Sequence, residues 1–233
     1  MLTGLSSGSA PELPGAELAA LVRRHGSHTV DLRFGKGHRW ETDGLAPFAE
    51  AGVDVAFIGV SVVLGGSREE VLDSALDAPL RTGVPVKVFA APDCMAPDRL
   101  DTTRQQVDAL ADQVGGVGNV LVETHYGGES PQTLAALHAE TGVRLLLDTL
   151  GLARISPDPL VVAGGLSALV PAAQVKGFDW KNPRDTRHLP LAETAGPTRT
   201  LLAALPQLAR VTVETHAGSH VEDLSLINTW WRP

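Results

Sequence analysis

The sequence predicts a single (β/α)8 barrel of the α/β class, and three observations support this fold. Short runs rich in β-branched residues alternate with helical stretches, which is the pattern of repeated βα units on a parallel sheet. Eight such runs occur, and 233 residues is a normal length for one α/β barrel. No linker or low-complexity segment interrupts the sequence, so we expect one domain over residues 1–233.

The first half of the chain contains four predicted strands, each with a helical stretch after it. The first helix is predicted around Leu18–Val22 and the second around Leu45–Ala51. The third begins with the capping-box sequence Ser67-Arg-Glu-Glu70, whose side chains satisfy free backbone amides, and the fourth covers Arg99–Val114. The four strands are predicted at Leu2–Leu5, Thr29–Arg33, Val53–Ile58 and Val84–Phe89.

The second half repeats the same alternation. Ser130-Pro131 and Ser156-Pro157 each place a capping residue before a proline, which is typical of a helix start. A third helix is predicted near Pro197–Leu205, and the capping box Ser219-His-Val-Glu222 begins a short last helix. The four strands are predicted at Asn119–Glu123, Val143–Asp148, Ala172–Lys176 and Arg210–Glu214.

An open doubly wound sheet is the alternative arrangement of strands and helices. Such sheets usually have fewer strands and a glycine-rich phosphate turn after the first strand. The sequence contains neither a G-x-G-x-x-G motif nor a Walker loop, so the closed barrel is favoured.

The composition narrows the class of partner. The chain is 43% hydrophobic and 20% charged, with a net charge of −8, and this acidic balance opposes a general nucleic-acid or anionic-membrane role. No stretch approaches 18 apolar residues, and the first residues do not resemble a signal peptide. Cys94 is the only cysteine, which rules out an intrachain disulfide. We therefore expect a cytoplasmic protein that binds a small-molecule substrate.

Polar residues end the last four predicted strands. Glu123, Asp148, Gln174 and Glu214 each follow an apolar run that must be buried. In a (β/α)8 barrel these strand ends meet at the C-terminal mouth, where active sites lie. A charged group in such a position is costly unless it is paired or bound to a metal. The sequence therefore predicts a common site formed by these four residues.

The three carboxylates of this set can be stabilised in two ways. Placed together they repel each other and their pKa values rise, and a divalent cation would remove that repulsion. An all-oxygen set favours Mn²⁺ or Mg²⁺ over Zn²⁺. In the alternative, each acid separately caps a neighbouring helix or pairs with an arginine.

Three residues next to these strand ends are further catalytic candidates. His125 and His216 each lie two residues after a glutamate, so they could act as proton shuttles, or they could be loop histidines bonded to the backbone. Lys176 lies two residues after Gln174. It could polarise a carbonyl or hold a developing enolate oxygen, or it could form a salt bridge to Asp148 or Asp179.

A glycine-punctuated loop after the second strand carries the substrate-binding candidates Arg33, His38 and Trp40. Cations beside an aromatic ring suit a lid over an anionic or hydroxylated ligand. A solvated loop is the alternative for all except Arg33, which ends its strand. Near the C-terminus, Trp230-Trp231 suits internal packing or a contact in a homodimer.

Several phrases of the sequence resemble a known family. VLVETH (120–125), LLLDTLG (145–151), AAQVKGFD (172–179) and VTVET (211–215) resemble the last four strands of the xylose isomerase-like barrel family. Residues 21–40 resemble its first helix and second strand. The family includes sugar epimerases, hydroxypyruvate isomerase, inosose dehydratase and endonuclease IV-type proteins. The resemblance implies a metal held at the positions of Glu123, Asp148, Gln174 and Glu214.

The sequence departs from the family pattern at two positions. The family usually has a histidine on the seventh strand, in a phrase resembling His-x-Lys-Asp, where this chain has Gln174 and Lys176. Many members also have a histidine three residues after the sixth-strand aspartate, where this chain has Gly151. A glutamine can supply an oxygen ligand, but the site loses its nitrogen ligand.

The leading functional hypothesis is therefore a metal-dependent isomerase or epimerase in carbohydrate metabolism. It would act on a sugar-like α-hydroxycarbonyl compound through an enediolate, with Glu123 and Glu214 as the acid/base pair implied by the resemblance. The first alternative is a dehydratase, cyclase or other lyase that uses these acids and Lys176, with or without metal. The second is a barrel that binds a small molecule without catalysis. A DNA-repair nuclease is disfavoured by the acidic balance and the scattered histidines.

Overall fold

The sheet closes into a barrel of eight parallel strands in the computed structural model, which describes residues 1–66, 83–125 and 130–230. Each strand pairs with the next along the chain, and the last pairs with the first. The predicted (β/α)8 fold is thereby confirmed. The strands are β1 Leu2–Ser6, β2 Thr29–Arg33, β3 Asp54–Leu64, β4 Val86–Ala90, β5 Val120–Glu123, β6 Arg144–Asp148, β7 Ala172–Val175 and β8 Arg210–Val213.

Helices surround the barrel and connect the strands. Within the described ranges, no helix combines the length and the apolarity needed to cross a membrane. The described helices are α1 Gly15–Arg24, α2 Trp40–Asp43, α3 Ala46–Glu50, α4 Leu100–Val114, α5 Pro131–Thr141, α6 Thr149–Ile155, α7 Pro159–Leu166, α8 Ala195–Ala203 and α9 His220–Thr229.

Two strands differ from the prediction. The third strand continues to Leu64, because Val60, Val62 and Val63 extend the β-branched run beyond Ile58. The fourth strand begins only at Val86. The capping box predicted at 67–70 lies outside the described residues.

The region after β6 contains a helix that the sequence analysis missed. Asp148 ends the strand and caps α6 directly, since its Oδ1 accepts a hydrogen bond from the Gly151 amide at 2.7 Å. The next helix, α7, does not begin at Ser156-Pro157 as predicted. Asp158 is its N-cap instead, and Ser156 accepts a hydrogen bond from the Asp158 amide.

The last helix also starts in a different way from the predicted capping box. The Ser219 side chain makes no N-cap hydrogen bond, and its hydroxyl donates to Asp223 Oδ2 at 2.8 Å. The other Asp223 oxygen accepts from the Leu191 amide at 2.8 Å. Asp223 therefore links α9 to the turn before α8, and both of its carboxylate oxygens accept a hydrogen bond.

The strands bury two distinct apolar surfaces. Alternate side chains point outward and form the main core against the helices, for example Val86, Val88, Leu145 and Leu147. A separate, smaller cluster fills the barrel interior and consists of Ala56, Phe57, Leu121, Leu146 and Ala172, each at most 3% exposed. We call these five residues the apolar plug.

The apolar plug determines the position of the polar residues along the barrel axis. Leu121, Leu146 and Ala172 each lie two residues before a predicted site residue, on the same face of the strand. The side chains that follow them along the strands therefore form the next layer, toward the C-terminal mouth.

Candidate active site

A cavity of about 110 Å³ lies at the C-terminal ends of the strands, directly above the apolar plug. This is the end at which (β/α)8 barrels carry their catalytic residues. Its described lining consists of Asp31, Arg33, Phe57, Gly59, Lys87, Phe89, Glu123, His125, Asp148, Leu150, Gly151, Arg154, Gln174, Lys176 and Glu214.

The four strand-end residues predicted from the sequence all line this cavity. Glu123, Asp148, Gln174 and Glu214 are each at most 4% exposed. Asp148 pairs with Gln174 in the β6–β7 register, so the two lie side by side. The structure therefore brings together the residues that the pattern of strand ends had grouped.

The Lys176 ammonium group lies between two of these carboxylates. Its Nζ is 2.6 Å from Asp148 Oδ2 and 2.8 Å from Glu214 Oε2. Burial alone would lower the pKa of Lys176, but Asp148, Glu214 and Glu123 raise it well above its usual value. Lys176 is therefore charged, and the salt bridge to Asp148 considered in the sequence analysis is present.

Glu123 has a cation of its own. Lys87 Nζ lies 2.6 Å from Glu123 Oε2 and 3.9 Å from the centre of the Phe89 ring. His125 Nδ1 lies 3.5 Å from the other carboxylate oxygen. Burial alone would raise the pKa of Glu123, but the nearby Lys87 charge, helped by His125, lowers it below its usual value. The side chain is therefore a carboxylate at neutral pH.

The lysine that pairs with Glu123 needs space on the neighbouring strand. A Cβ at Gly59 on β3 would lie 3.0 Å from Lys87 Cε. Glycine at this position therefore lets the Lys87 side chain pass along the inner wall to reach Glu123.

Glu214 is held by two cations. Arg33 Nη1 donates to Glu214 Oε1 at 3.0 Å, and Lys176 engages Oε2. Burial opposes ionisation, but Lys176 and Arg33 outweigh it and lower the pKa of Glu214. A Cβ at Gly8 would lie 2.5 Å from Glu214 Oε1, so the backbone after β1 packs directly on this pair.

Asp31 is a site residue that the sequence analysis missed. Ser6 Oγ donates to Asp31 Oδ1 at 2.6 Å, and Gln174 Nε2 donates to Oδ2 at 3.2 Å. Burial, with a smaller effect of the Glu214 charge, raises the pKa of Asp31 to about 6 despite these hydrogen bonds. Its position two residues before Arg33, on the same strand face, is the signal that could have identified it.

Lys87 and Arg154 also line the cavity without having been predicted. Lys87 lies inside an apolar strand run. The sequence analysis considered only the polar residues at the ends of strands, so it did not select Lys87. Arg154 Nε donates to the Pro183 carbonyl at 2.6 Å, which fixes the segment before α8 beside the cavity. Of the two histidines predicted as catalytic candidates, His125 lines the cavity.

His216 lies apart from the described cavity lining. It is exposed, its backbone amide donates to His188 Nδ1 at 3.1 Å, and the two rings are 4.7 Å apart. Desolvation, with a smaller effect of the neighbouring His216, lowers the pKa of His188 to about 4.

Of the predicted lid residues, only Arg33 reaches the cavity. Trp40 is 1% exposed and belongs to the main core, 6.4 Å from the Phe34 ring. His38 is 9% exposed, and its Nδ1 lies 3.0 Å from Ser7 Oγ. His38 and Trp40 are not part of the described cavity lining, and both side chains pack this loop against the barrel.

The donor set does not fit a divalent metal. Each of the six oxygens of Glu123, Asp148 and Glu214 lies within 3.5 Å of a nitrogen of the protein, and the contact of Asp148 Oδ2 with Lys176 Nζ is an ion pair without hydrogen-bond geometry. The Gln174 amide nitrogen points at Asp31. Among the described residues, no group of three or more His, Cys, Asp or Glu side chains is arranged to hold a metal ion. In this structure, lysine and arginine side chains neutralise the carboxylates.

The histidine missing after Asp148 has a steric explanation. A Cβ at Gly151 would lie 1.8 Å from the Thr124 carbonyl oxygen. No side chain fits at this position, because the start of α6 packs directly on the end of β5.

Solved structures with the same fold were found for almost the whole chain. A xylose isomerase domain-containing protein from Salmonella typhimurium LT2 is 15% identical, with a TM-score of 0.72 over 97% of this chain and 94% of that chain. The D-allulose 3-epimerase from Methylomonas sp. is 13% identical, with a TM-score of 0.66 over 100% and 91%. The 3-keto-D-glucoside 4-epimerase from E. coli is 14% identical, with a TM-score of 0.64 over 98% and 99%.

No protein-family model and no curated protein sequence matches the chain. At these identities the similarity to solved structures establishes the fold, which is that of xylose isomerase-like barrels.

Proposed function

We propose that this protein is an isomerase or epimerase of a small, sugar-like α-hydroxycarbonyl compound, with Glu123 and Glu214 transferring the proton. The observation that carries the proposal is the pair of buried glutamates, at the end of β5 and directly after β8, that line one cavity with a charged lysine. Two of the similar structures are sugar epimerases by name, which supports this reaction class.

Each glutamate begins the proposed reaction as a carboxylate, because the neighbouring cations lower both pKa values. One carboxylate removes the proton from the carbon that carries the hydroxyl group next to the carbonyl. The C–H electron pair forms the carbon–carbon double bond of an enediolate, and the negative charge moves to the carbonyl oxygen.

The enediolate can then take up a proton in two ways. In isomerisation, the same carboxyl returns the proton to the neighbouring carbon, while the hydroxyl proton passes to the former carbonyl oxygen. In epimerisation, the second glutamate takes a proton from the lysine ammonium group that contacts it and delivers this proton to the original carbon from the opposite face. The first glutamate then releases its proton to solvent, and the lysine takes up a proton from solvent. His125, whose side chain is 45% exposed and lies 3.5 Å from Glu123, would exchange a proton between Glu123 and solvent.

The cations of the site would stabilise the charge on the enediolate oxygen. Fixed positive groups in a water-poor cavity act strongly on charge that develops in the transition state. Lys176 and Arg33 flank Glu214, and Lys87 flanks Glu123. The resemblance implies a metal, and an all-oxygen ligand set would favour Mn²⁺ or Mg²⁺. The oxygens of the site are already paired with protein cations, so the proposal assigns no step to a metal.

Solvent deuterium exchange tests the proposal. Purified protein is incubated in D₂O with short aldoses, ketoses and hydroxyketo acids, and NMR follows deuterium at the carbon next to the carbonyl. We expect exchange and product formation with at least one compound. Glu214→Gln should abolish both, whereas Glu222→Gln, the same change at an exposed position on α9, should leave them intact. Near-normal exchange by Glu214→Gln would refute the role of Glu214.

The same experiment separates the alternative functions. A lyase or dehydratase would release water or a fragment from the compound and give a different product spectrum. A binding protein would show saturable line broadening of a compound that never gains deuterium.

A further inference from the structure

We infer that Lys176, a lysine that the family phrase His-x-Lys-Asp shares, takes the place of a dissociable metal ion in this chain, where Gln174 stands instead of the histidine, so that the cavity binds its hydroxycarbonyl compound without metal. The inference rests on the proposed function for the identity of the compound. The replacement itself concerns only the residues of the site.

The contacts of Lys176 carry the first step of the inference. Its ammonium group contacts Asp148 and Glu214 at once, at distances of 2.6 and 2.8 Å. These are two carboxylates from different strands, and without a shared cation they would repel each other in a buried site. Lys176 thus bridges the two carboxylates as a metal ion could, with a single positive charge.

The attachment of Lys176 makes this cation a fixed part of the fold. The Lys176 backbone amide donates to Thr149 Oγ1 at 3.0 Å, and its side chain is only 14% exposed. A lysine side chain held by the backbone, unlike a metal ion, cannot be removed by a chelator.

The charge balance of the cavity is the second step. The described lining contains four carboxylates and four cations: Asp31, Glu123, Asp148 and Glu214, against Arg33, Lys87, Arg154 and Lys176. The charges of these eight groups cancel when all are ionised. A divalent ion would add positive charge beside these largely buried groups, which is unfavourable unless further negative charge enters with it.

The geometry of possible additional ligands is the third step. Gln174 turns its amide nitrogen toward Asp31, and position 151 has no room for any side chain. Position 151 can therefore supply no further ligand, and Gln174 offers at most its amide oxygen. An ammonium group needs no such sphere, because it binds a carbonyl or enediolate oxygen through its own N–H groups.

Titration of the purified full-length protein with Mn²⁺ alone tests the inference. Binding is followed by calorimetry and by loss of the free-ion EPR signal. We expect no saturable binding by the wild-type protein. Lys176→Met frees Asp148 Oδ2 and Glu214 Oε2, and should tighten Mn²⁺ binding by at least about tenfold. Lys181→Met, an exposed lysine nearby, is the matched control and should behave like the wild type.

Two results would overturn the inference. One is stoichiometric Mn²⁺ binding by the wild-type protein. The other is a folded Lys176→Met variant, checked by circular dichroism, that gains no binding. If Lys176→Met does not fold, Lys176→Gln keeps a similar length and is judged by the same criterion, and the wild-type titration remains decisive.

The failure of this inference can be distinguished from the failure of the proposed function. The titration uses no substrate, so absent binding with no deuterium exchange on any compound would refute only the function. Deuterium exchange that requires added Mn²⁺ and stops with chelator would refute only the replacement by Lys176.

Discussion

The two ends of the barrel contain ion pairs of equal length in opposite surroundings. At the N-terminal end, Arg210 Nε lies 2.6 Å from Asp54 Oδ2, and these side chains are 33% and 39% exposed. At the mouth, Lys176 Nζ lies 2.6 Å from Asp148 Oδ2, with exposures of 14% and 2%. The distance is the same, so the difference between the two pairs lies in the water around them.

The difference in exposure distinguishes an ion pair on the surface, which contributes a little to stability, from a buried ion pair of the kind found in active sites. An exposed pair is screened by water and contributes at most about 1 kcal/mol. A buried pair loses hydration and often stabilises a fold no better than apolar residues would, while the loss of one partner leaves an unpaired charge. The concentration of such pairs at the mouth therefore indicates a functional site.

The largest effect is expected for Lys87→Met at the mouth. The change leaves the Glu123 charge buried without its closest cation and should lower the free energy of unfolding by about 3 kcal/mol. Urea denaturation provides the measurement. The double variant Lys87→Met/Glu123→Gln removes both charges and should regain part of the loss. Equal destabilisation of the single and double variants would show that the pair behaves like an exposed one.

Asp31→Asn should have a similarly large effect that depends on pH. Burial raises the pKa of Asp31 from 3.8 to about 6, so the ionised form is disfavoured in the folded state. The resulting penalty is absent below pH 3.8, grows between pH 3.8 and 6, and is complete above pH 6, where it reaches about 3 kcal/mol. Asparagine resembles the protonated acid and removes this penalty.

The stability difference between Asp31→Asn and the wild type should therefore become more favourable to the variant as the pH rises from 4 to 8. Denaturant unfolding at several pH values measures it. A difference that stays constant over this range would show that Asp31 titrates normally.

Gly8→Ala is expected to have an intermediate effect. The added Cβ would lie 2.5 Å from Glu214 Oε1 and 2.9 Å from Arg33 Cδ, so the pair must move. We expect destabilisation by about 1–3 kcal/mol, together with slower deuterium exchange. Gly164→Ala on α7 is the control, since a Cβ there meets nothing within 4 Å and should stabilise the helix by about 0.5–1 kcal/mol. Parallel behaviour of the two variants would contradict the close packing at Gly8.

The smallest effect is expected at the opposite end of the barrel. Arg210→Met removes an exposed pair and should change the free energy of unfolding by less than about 1 kcal/mol, with a smaller change at high salt. Thermal unfolding at two salt concentrations tests this. A loss as large as that of Lys87→Met would remove the contrast between the two ends.

The barrel and the position of its site could be predicted because both depend on local patterns. Period-two alternation with a polar final residue identifies a strand end, and the closed topology then brings Glu123, Asp148, Gln174 and Glu214 to one mouth. The partners of these residues could not be predicted in the same way. Lys87 and Asp31 lie inside strands, and which acid faces which cation depends on strand register.

The surroundings of Asp148 show a second limit. Its strand is obvious from the sequence, but the immediate start of α6 depends on the contact between Gly151 and the Thr124 carbonyl. Trp40 shows a third limit, because an aromatic residue in a glycine-rich loop looks alike in sequence whether it covers a ligand or packs in the core. Only the tertiary structure distinguishes these cases.

The apolar plug also determines how molecules reach the site. Its five side chains, all at most 3% exposed, close the barrel below the carboxylates. Under the proposed function, reactant and product would use the same opening, so a product molecule that has not yet departed would block the arrival of the next reactant. Inhibition by product should consequently be competitive with respect to the reactant.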